Sequence, residues 1–185
     1  MGLKINIIGM GVMGYQTSAL FHLLGYNVAV YSRKGFDDKK FNRQAKILNK
    51  FIGEFKSESI DIKICEDISE IYDACTIETT IEDVSTKKLL YESVQKVTKK
   101  PFLTNTSSIA PREIGENTVG LHFFNPIHLK LIELSNHNGI EETQAKFYVT
   151  VPLSFGIPLD YAEDGTSFLP EENFKTLGEF VEAWG

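Results

Sequence analysis

Residues 5–14 read INIIGMGVMG, and this stretch decides the fold. Its β-branched run ends in glycines at the spacing at which a strand turns into a helix whose N-terminus faces a phosphate. In such a turn Gly9 makes the tight bend, Gly11 lets the backbone approach a pyrophosphate, and Gly14 allows close helix packing. We therefore expect a dinucleotide to contact the turn; a strand–helix turn with no ligand is the alternative. The expected contacts are Gly9, Met10, Gly11, Val12, Met13 and Gly14.

Along the rest of the chain, the apolar pattern alternates between strand-like and helix-like segments. Predicted strands cover 4–8, 27–31, 60–64, 75–79, 102–105, 119–124 and 131–134. Predicted helices cover 13–24, 37–55, 68–72 with Asp67 as N-cap, and 82–96, with a short helix or turn at 111–114. This order predicts an α/β fold: a Rossmann-type, doubly wound and mostly parallel sheet. We expect a single domain over residues 1–163 and a short helical appendage over 164–185.

Composition and charge exclude several classes of function. The chain has 185 residues and a formal charge of −6, which argues against nucleic-acid binding. No apolar run approaches the roughly 18 residues of a membrane span, and the N-terminus leads directly into a strand without a secretory signal. We therefore expect a cytoplasmic protein. Cys65 and Cys75 fit neither a CxxC pair nor a metal site, so reduced thiols and no metal are expected.

Four segments, in order, resemble the NAD-binding domain of the L-3-hydroxyacyl-CoA dehydrogenases. They are IIGMGVMG at 7–14, IETTIEDVSTK at 77–87, LTNTSS at 103–108, and LHFFNP at 121–126 followed by Glu133. The resemblance extends from residue 4 to about residue 135. It implies an oxidoreductase that uses a nicotinamide dinucleotide.

The resemblance also implies roles for particular residues. His122 would take the proton of a 3-hydroxyl group while C3 gives its hydride to the nicotinamide. Glu133 would orient and stabilise the imidazolium, since a nearby carboxylate favours that charged form. Ser107 would hold the substrate oxygen, and Asn125 would support the site beside His122.

Two further residues are implied as cofactor contacts, Glu78 at the end of the fourth strand and Asn105 in LTNTSS. The residues alone leave other interpretations open. His122 lies in an alternating apolar run and would serve as a core histidine, Ser107 would cap a helix, and Glu133 would lie solvated at a strand edge.

The chain departs from the family at the end of the second strand, where the family has an aspartate that binds the adenosine ribose. Ser32, Arg33 and Lys34 follow the strand here. An arginine there can stack on adenine and pair with a 2′-phosphate. We therefore expect Ser32 and Arg33 to contact an NAD(P) cofactor with NADP favoured over NAD. The alternative is that both cations only solvate a loop.

A second departure lies between His122 and Glu133, where the interval is one residue shorter than the family pattern. The loop from Ser107 to Gly120 is also trimmed. A displacement of even ~1 Å in a catalytic group can cost about a hundredfold in rate, so a shift of Glu133 relative to His122 would impair the pair.

The third departure concerns the C-terminal segment, because the family continues into a helical domain that closes the cleft and makes the dimer. Residues 145–163 still resemble the last strand and its approach. Residues from Pro170 onward predict a helix with one apolar face. It carries Phe174, Leu177, Phe180, Val181 and Trp184. We expect this face to pack on its own domain; an exposed face would bind a partner.

Two classes of function follow. The first is a dehydrogenase or reductase of 3-hydroxyacyl or 3-oxoacyl thioesters, with an acyl-CoA or acyl-carrier-protein substrate. A homodimer or a partner subunit would complete its cleft. The second is a catalytically inactive dinucleotide-binding module within a larger assembly. A dehydrogenase of small β-hydroxy acids is disfavoured because no lysine is placed as that class requires.

Overall fold

Within the described residues, nine strands form one sheet flanked by helices. The computed structural model describes residues 3–52, 62–127, 132–135, 159–163 and 166–168; residues 51–52 and the last three ranges are described by their backbone alone. The strands are β1 (Lys4–Ile8), β2 (Asn27–Tyr31), β3 (Ile62–Cys65), β4 (Thr76–Glu78), β5 (Phe102–Thr104), β6 (Thr118–Phe123), β7 (Ile132–Ser135), β8 (Leu159–Glu163) and β9 (Thr166–Phe168). The helices are α1 (Val12–Leu23), α2 (Asp38–Ile52), α3 (Val84–Val94) and α4 (Pro111–Ile114), with a 3₁₀ turn at Ile68–Glu70.

The strand order in the sheet is β3-β2-β1-β4-β5-β6-β7-β8-β9. The first six strands in this order are parallel, and the order reverses between β1 and β4. Strand β7 runs antiparallel to β6, β8 parallel to β7, and β9 antiparallel to β8. The predicted α/β class with a doubly wound, mostly parallel sheet is confirmed. A sheet of this kind binds ligands where the order reverses, outside the carboxyl ends of the strands.

Alternating residues of the central strands separate the core into two layers. Ile7 and Val30 join a cluster with side chains of α1 and α2. Ile8 and Ala29 join a second cluster with side chains of α3 and α4. Because successive strand residues point to opposite faces, the two helix pairs cover opposite sides of the sheet.

Helix α1 is buried from Gly14 to Leu23 without interruption. Burial on all sides places polar side chains inside, among them Gln16, Thr17 and His22. The His22 ring meets Phe41 of α2 edge-on, with ring centroids 5.6 Å apart. This helix is therefore held by its surroundings in every direction.

Most predicted elements lie within two residues of those observed, and β1 and β2 match residue for residue. Asp67 caps the 3₁₀ turn by accepting a hydrogen bond from Ser69 N at 2.8 Å, as predicted. Cys65 and Cys75 are buried free thiols, also as predicted. Within the described helices, none is long and apolar enough to span a membrane.

The C-terminal predictions are only partly tested. Strand β8 falls inside the segment expected to hold the last strand. Strand β9 was not predicted, because its three residues are too few for a periodic pattern. The predicted helix from Pro170 onward and its apolar face lie outside the described residues. The division of the chain at residue 163 stays a prediction.

Two buried threonines provide a stability prediction. Thr17 Oγ1 has no hydrogen-bond partner among the described residues, whereas Thr104 Oγ1 donates to Glu78 Oε2 at 2.7 Å. Thr17→Val should therefore leave the free energy of unfolding unchanged or raise it by up to about 1 kcal/mol, and Thr104→Val should lower it by about 1–3 kcal/mol. Urea unfolding of both variants measures this. An equal loss in the two would contradict it.

Candidate functional site

A cavity of about 660 Å³ opens at the carboxyl ends of the central parallel strands. It is lined by residues 8–13 after β1, residues 31–34 after β2, residues 79–81 after β4 and Asn105 after β5. Side chains of α3 close one side. The cavity therefore lies where a doubly wound sheet places its ligand.

The glycine turn at the centre of this cavity is fixed by close backbone contacts. Gly9 has a φ of +96°, and a Cβ there would lie 2.9 Å from the carbonyl carbon of Thr79. A Cβ on Gly14 would lie 1.8 Å from Gly9 O. Thr79 Oγ1 donates to Gly9 O at 2.6 Å and so ties β4 to the turn. Side chains at either glycine would push α1 away from the sheet.

The start of α1 has the character of an anion site. Gly11 is the N-cap, has no side chain to cap the first turn, and would carry a Cβ into open space. No acidic residue lies in the first turn. The N–H groups of that turn lack partners within the helix and point toward the cavity, where a phosphate satisfies them. These residues fit the pyrophosphate of a dinucleotide.

Exposed apolar side chains are concentrated at the cavity. Val12, Ile81 and Leu89 line it and are 63%, 63% and 66% exposed. A flat ring inserted between them would remove apolar surface from water. Val12 was among the residues expected at the cavity. Ile81 lies within the quoted segment 77–87 but was given no role, and Leu89 lies outside the quoted segments.

The rim after β2 carries positive charge. Ser32 Oγ accepts a hydrogen bond from Lys34 N at 3.2 Å, and Gly35 N donates to Ser32 O at 3.0 Å. This tight turn leaves Arg33 and Lys34 exposed at the cavity. No aspartate or glutamate occurs among the described residues that line the cavity.

His122 lies in β6, where its ring is partly buried and 4.6 Å from the ring of Phe124. The antiparallel register of β6 and β7 pairs His122 directly with Glu133. Glu133 is therefore the residue of β7 that lies opposite His122 in the sheet.

Asn105 connects His122 to the cavity. Its Oδ1 accepts a hydrogen bond from Phe123 N at 2.7 Å, and its own N–H donates to Glu78 O at 2.8 Å. The same residue lines the cavity. The end of β6 is thus bonded to the cavity wall one residue after His122.

Ser107 lies exposed in the turn after β5, and Glu82 holds that turn together. Glu82 Oε1 accepts from Ser107 N and Ser108 N at 3.0 Å each, from Ser108 Oγ at 2.9 Å and from the hydroxyl of Thr106. Lys87 Nζ lies 3.6 Å from Glu82 Oε2. None of these bonds uses the Ser107 hydroxyl. Glu82 lies within the quoted segment 77–87, but no role was predicted for it.

Glu78 has no exposed surface, and its carboxylate is fully engaged. Lys87 Nζ donates to its two oxygens at 2.8 and 2.7 Å, and the hydroxyls of Thr80 and Thr104 donate to it as well. Contact with a cofactor would require it to leave this buried ion pair. The geometry therefore gives Glu78 a supporting position beneath the cavity, and the expectation of a cofactor contact gains no support from it.

Asn125 lies exposed in the turn after β6, beside a cis peptide bond to Pro126. Its Oδ1 accepts a hydrogen bond from Gln16 Nε2 at 3.0 Å, and Gln16 Oε1 accepts from Ile127 N at 2.7 Å. Gln16 was not predicted as a site residue, because α1 is buried on all sides and its apolar pattern singles out no face.

The fold brings most of the expected cofactor residues together at the cavity: Gly9, Met10, Gly11, Val12, Met13, Ser32, Arg33 and Asn105. Gly14 and Glu78 lie behind its wall. His122, Ser107 and Asn125 lie outside the wall, on strands or turns at the same edge of the sheet. The catalytic roles of these three residues and of Glu133 stay predictions.

Comparison with known proteins identifies a family and a relative. Residues 4–154 match the family model described as 3-hydroxyacyl-CoA dehydrogenase, NAD binding domain. A 3-hydroxybutyryl-CoA dehydrogenase of Clostridioides difficile is 29% identical over 184 residues, a match that covers 87% of this chain and 64% of that protein. The chain thus spans less than two thirds of the length of this relative.

Solved structures share the fold. The 3-hydroxybutyryl-CoA dehydrogenase of Escherichia coli K12 aligns with a TM-score of 0.71 and 23% identity over 88% of this chain and 38% of that chain. A 5-formyl-3-hydroxy-2-methylpyridine 4-carboxylic acid 5-dehydrogenase, described as an NAD⁺-dependent dismutase, aligns with a TM-score of 0.76 and 20% identity over 100% of this chain and 63% of that chain. At these identities the likeness establishes the fold alone.

Glu82 gives the site a pH dependence. Burial raises the pKa of its carboxyl, but hydrogen bonds from Thr106, Ser108 and Ser107 and the charge of Lys87 outweigh burial and lower the pKa below its ordinary value of 4.5. A lowered pKa in the folded state stabilises the fold above the ordinary value, and this contribution is lost as pH falls through the folded-state pKa.

We therefore expect wild type to be more stable than Glu82→Gln above pH 4.5, and the difference to shrink as the pH falls below that value. Urea unfolding across the acidic range measures it. Glu92→Gln, at an exposed position in α3, controls for loss of one carboxylate. A difference that stays constant with pH would refute the role of the Glu82 charge.

Proposed function

Because the chain belongs to the 3-hydroxyacyl-CoA dehydrogenase family by its match to the NAD binding domain, we propose that it is an NAD(P)-dependent oxidoreductase that interconverts 3-hydroxyacyl and 3-oxoacyl thioesters. One observation carries the proposal: Asn105 lies in the cavity wall and is bonded to Phe123, the residue after His122. The cavity and strand β6, which carries the proposed acid–base residue His122, are therefore joined through Asn105.

The glycine turn and the start of α1 would hold the pyrophosphate through backbone N–H groups, because a chain without a Cβ at Gly11 allows close approach. The apolar side chains at the cavity mouth would cover a ring of the dinucleotide. When bound, the nicotinamide group supplies the acceptor or donor of a hydride at C3 of the acyl chain. Side chains of the protein transfer the proton and position the substrate.

His122 acts in this proposal as the general base of oxidation and the general acid of reduction, taking or returning the proton of the 3-hydroxyl. The register that pairs it with Glu133 supports a dyad, since directly opposed residues of an antiparallel pair have Cβ atoms about 4.5–5.5 Å apart. In this proposal Glu133 orients the imidazole and stabilises the imidazolium that forms during turnover. The exposed hydroxyl of Ser107 would hold the substrate oxygen, and Asn125 would support the site.

The preferred cofactor in this proposal is NADP(H). Arg33 and Lys34 are exposed at the cavity, and no carboxylate lines it among the described residues. A 2′-phosphate would gain charge-assisted hydrogen bonds from such a rim, whereas a ribose hydroxyl finds no acidic acceptor there.

The substrate would be carried by coenzyme A or by an acyl carrier protein. Ser107 and Asn125 are exposed. We propose that a second copy of the chain or a partner subunit covers these residues. The same exposure favours the alternative function, a dinucleotide-binding module without catalysis inside a larger assembly.

His122→Ala separates the two functions. Acid–base catalysis contributes about 10²- to 10⁴-fold, so kcat for reduction of acetoacetyl-CoA should fall by that factor while cofactor affinity is retained. The absorbance of the reduced cofactor follows turnover, and its fluorescence follows binding. Phe124→Leu, which alters the ring beside His122 and leaves the imidazole, is the matched control. Tight cofactor binding by wild type without turnover of any acyl thioester would establish the module instead.

Arg33→Asp tests cofactor choice. Loss of a charge-assisted contact and gain of a ribose acceptor should shift the ratio of kcat/KM for NADPH over NADH toward NADH by about tenfold to a hundredfold. Arg43→Asp, an exposed site on α2 outside the cavity lining, makes the same change of charge and should leave the ratio unchanged. A ratio that does not move in Arg33→Asp would count against NADP(H).

A further inference from the structure

Gln16 joins two parts of the molecule that are far apart in sequence. Its side chain is 4% exposed, its Oε1 accepts from Ile127 N at 2.7 Å, and its Nε2 donates to Asn125 Oδ1 at 3.0 Å. A backbone N–H can only donate, so the bond from Ile127 fixes which end of the Gln16 amide is oxygen. The partners are 111 and 109 residues away along the chain.

The helix that carries Gln16 cannot move independently of the cofactor cavity. Two residues before Gln16, Gly14 packs so closely on Gly9 that a Cβ would lie 1.8 Å from Gly9 O. The turn is also held by Thr79, whose hydroxyl donates to Gly9 O at 2.6 Å. Any motion that opens the turn would also displace the start of α1, and with it Gln16.

The segment after His122 is held at two points. Asn105 fixes the backbone at Phe123, and Gln16 fixes it at Asn125 and Ile127. The first contact comes from the sheet edge and the second from the glycine-turn helix. Gln16 is therefore the link by which α1 holds the turn that follows His122.

We propose that Gln16 is a positioning residue that couples occupancy of the dinucleotide cavity to the order of residues 123–127. The expected effect on turnover rests on the proposed function, whereas the coupling between cofactor binding and residues 123–127 does not. A ligand on the glycine turn stabilises the observed position of α1, in which Gly14 packs on Gly9. A local opening that moves α1 away from this position also breaks both hydrogen bonds of Gln16. Cofactor binding thereby protects the segment that follows His122.

Three variants test the coupling. Gln16→Met keeps the length of the side chain and makes neither bond, whereas Gln16→Glu keeps the acceptor for Ile127 N. Thr17→Val is the matched control, since Thr17 is the next residue of α1, is equally buried, and makes no side-chain hydrogen bond among the described residues. Amide hydrogen exchange of residues 121–127 is measured with and without NADPH or NADH, whichever binds more tightly.

At a cofactor concentration of about 100 times Kd, exchange in wild type and Thr17→Val should slow by up to about a hundredfold. In Gln16→Met this protection should be lost while Kd changes little, and Gln16→Glu should restore part of it. Equal protection in Gln16→Met and wild type, or none in wild type, would overturn the coupling.

Turnover of acetoacetyl-CoA gives a second measurement. Gln16→Met should lower kcat by about tenfold to a hundredfold, with an unchanged KM for the cofactor, because a displaced base costs rate rather than binding. An unchanged kcat would overturn the positioning role. Cofactor-dependent protection in a wild type that turns over no thioester would support the coupling and overturn the proposed chemistry, so the two failures are distinguishable.

Discussion

The close approach of two glycine backbones is the constraint on which this molecule depends. Gly14 lies against Gly9 with no room for a Cβ, and Gly9 in turn lies against Thr79 of the neighbouring strand segment. Three elements, β1, β4 and α1, are thereby brought to one point. The cavity opens at that point. The backbone N–H groups at the start of α1 have neither a side-chain cap nor an acidic neighbour in the first turn, which leaves them available to a ligand.

Local sequence signals predicted the elements well, for identifiable physical reasons. The first two strands are runs rich in β-branched residues with sharp boundaries, and such residues favour a strand over a helix. Asp67 was predicted as a cap because a short polar side chain before a helical segment satisfies free N–H groups. Strand β9 escaped prediction because its pairing partner, and not its own three residues, makes it a strand.

Residues of the cavity lining that lie together in one short segment could be predicted from the sequence, whereas contacts between distant segments could not. The glycine turn and Ser32–Arg33 were found because each is one short segment. Gln16 was missed because nothing near it in sequence shows a bond to Ile127. Glu82 was quoted within a motif without a role, although four groups of the Thr106–Ser108 turn donate to its carboxylate. Pairing of His122 with Glu133 was implied only by resemblance, since strand register depends on both strands together.

The two buried thiols can report the separation of strands in the sheet. Cys65 ends the edge strand β3, and Cys75 directly precedes β4 at the centre of the sheet; they are 4% and 7% exposed. Burial raises the pKa of both thiols, which keeps the nucleophilic thiolate scarce in the native state. Alkylating reagents will thus label the chain chiefly when strands separate. Labelling of Cys65 alone indicates that the edge strand β3 has separated, whereas labelling of Cys75 indicates that the sheet has opened at β4.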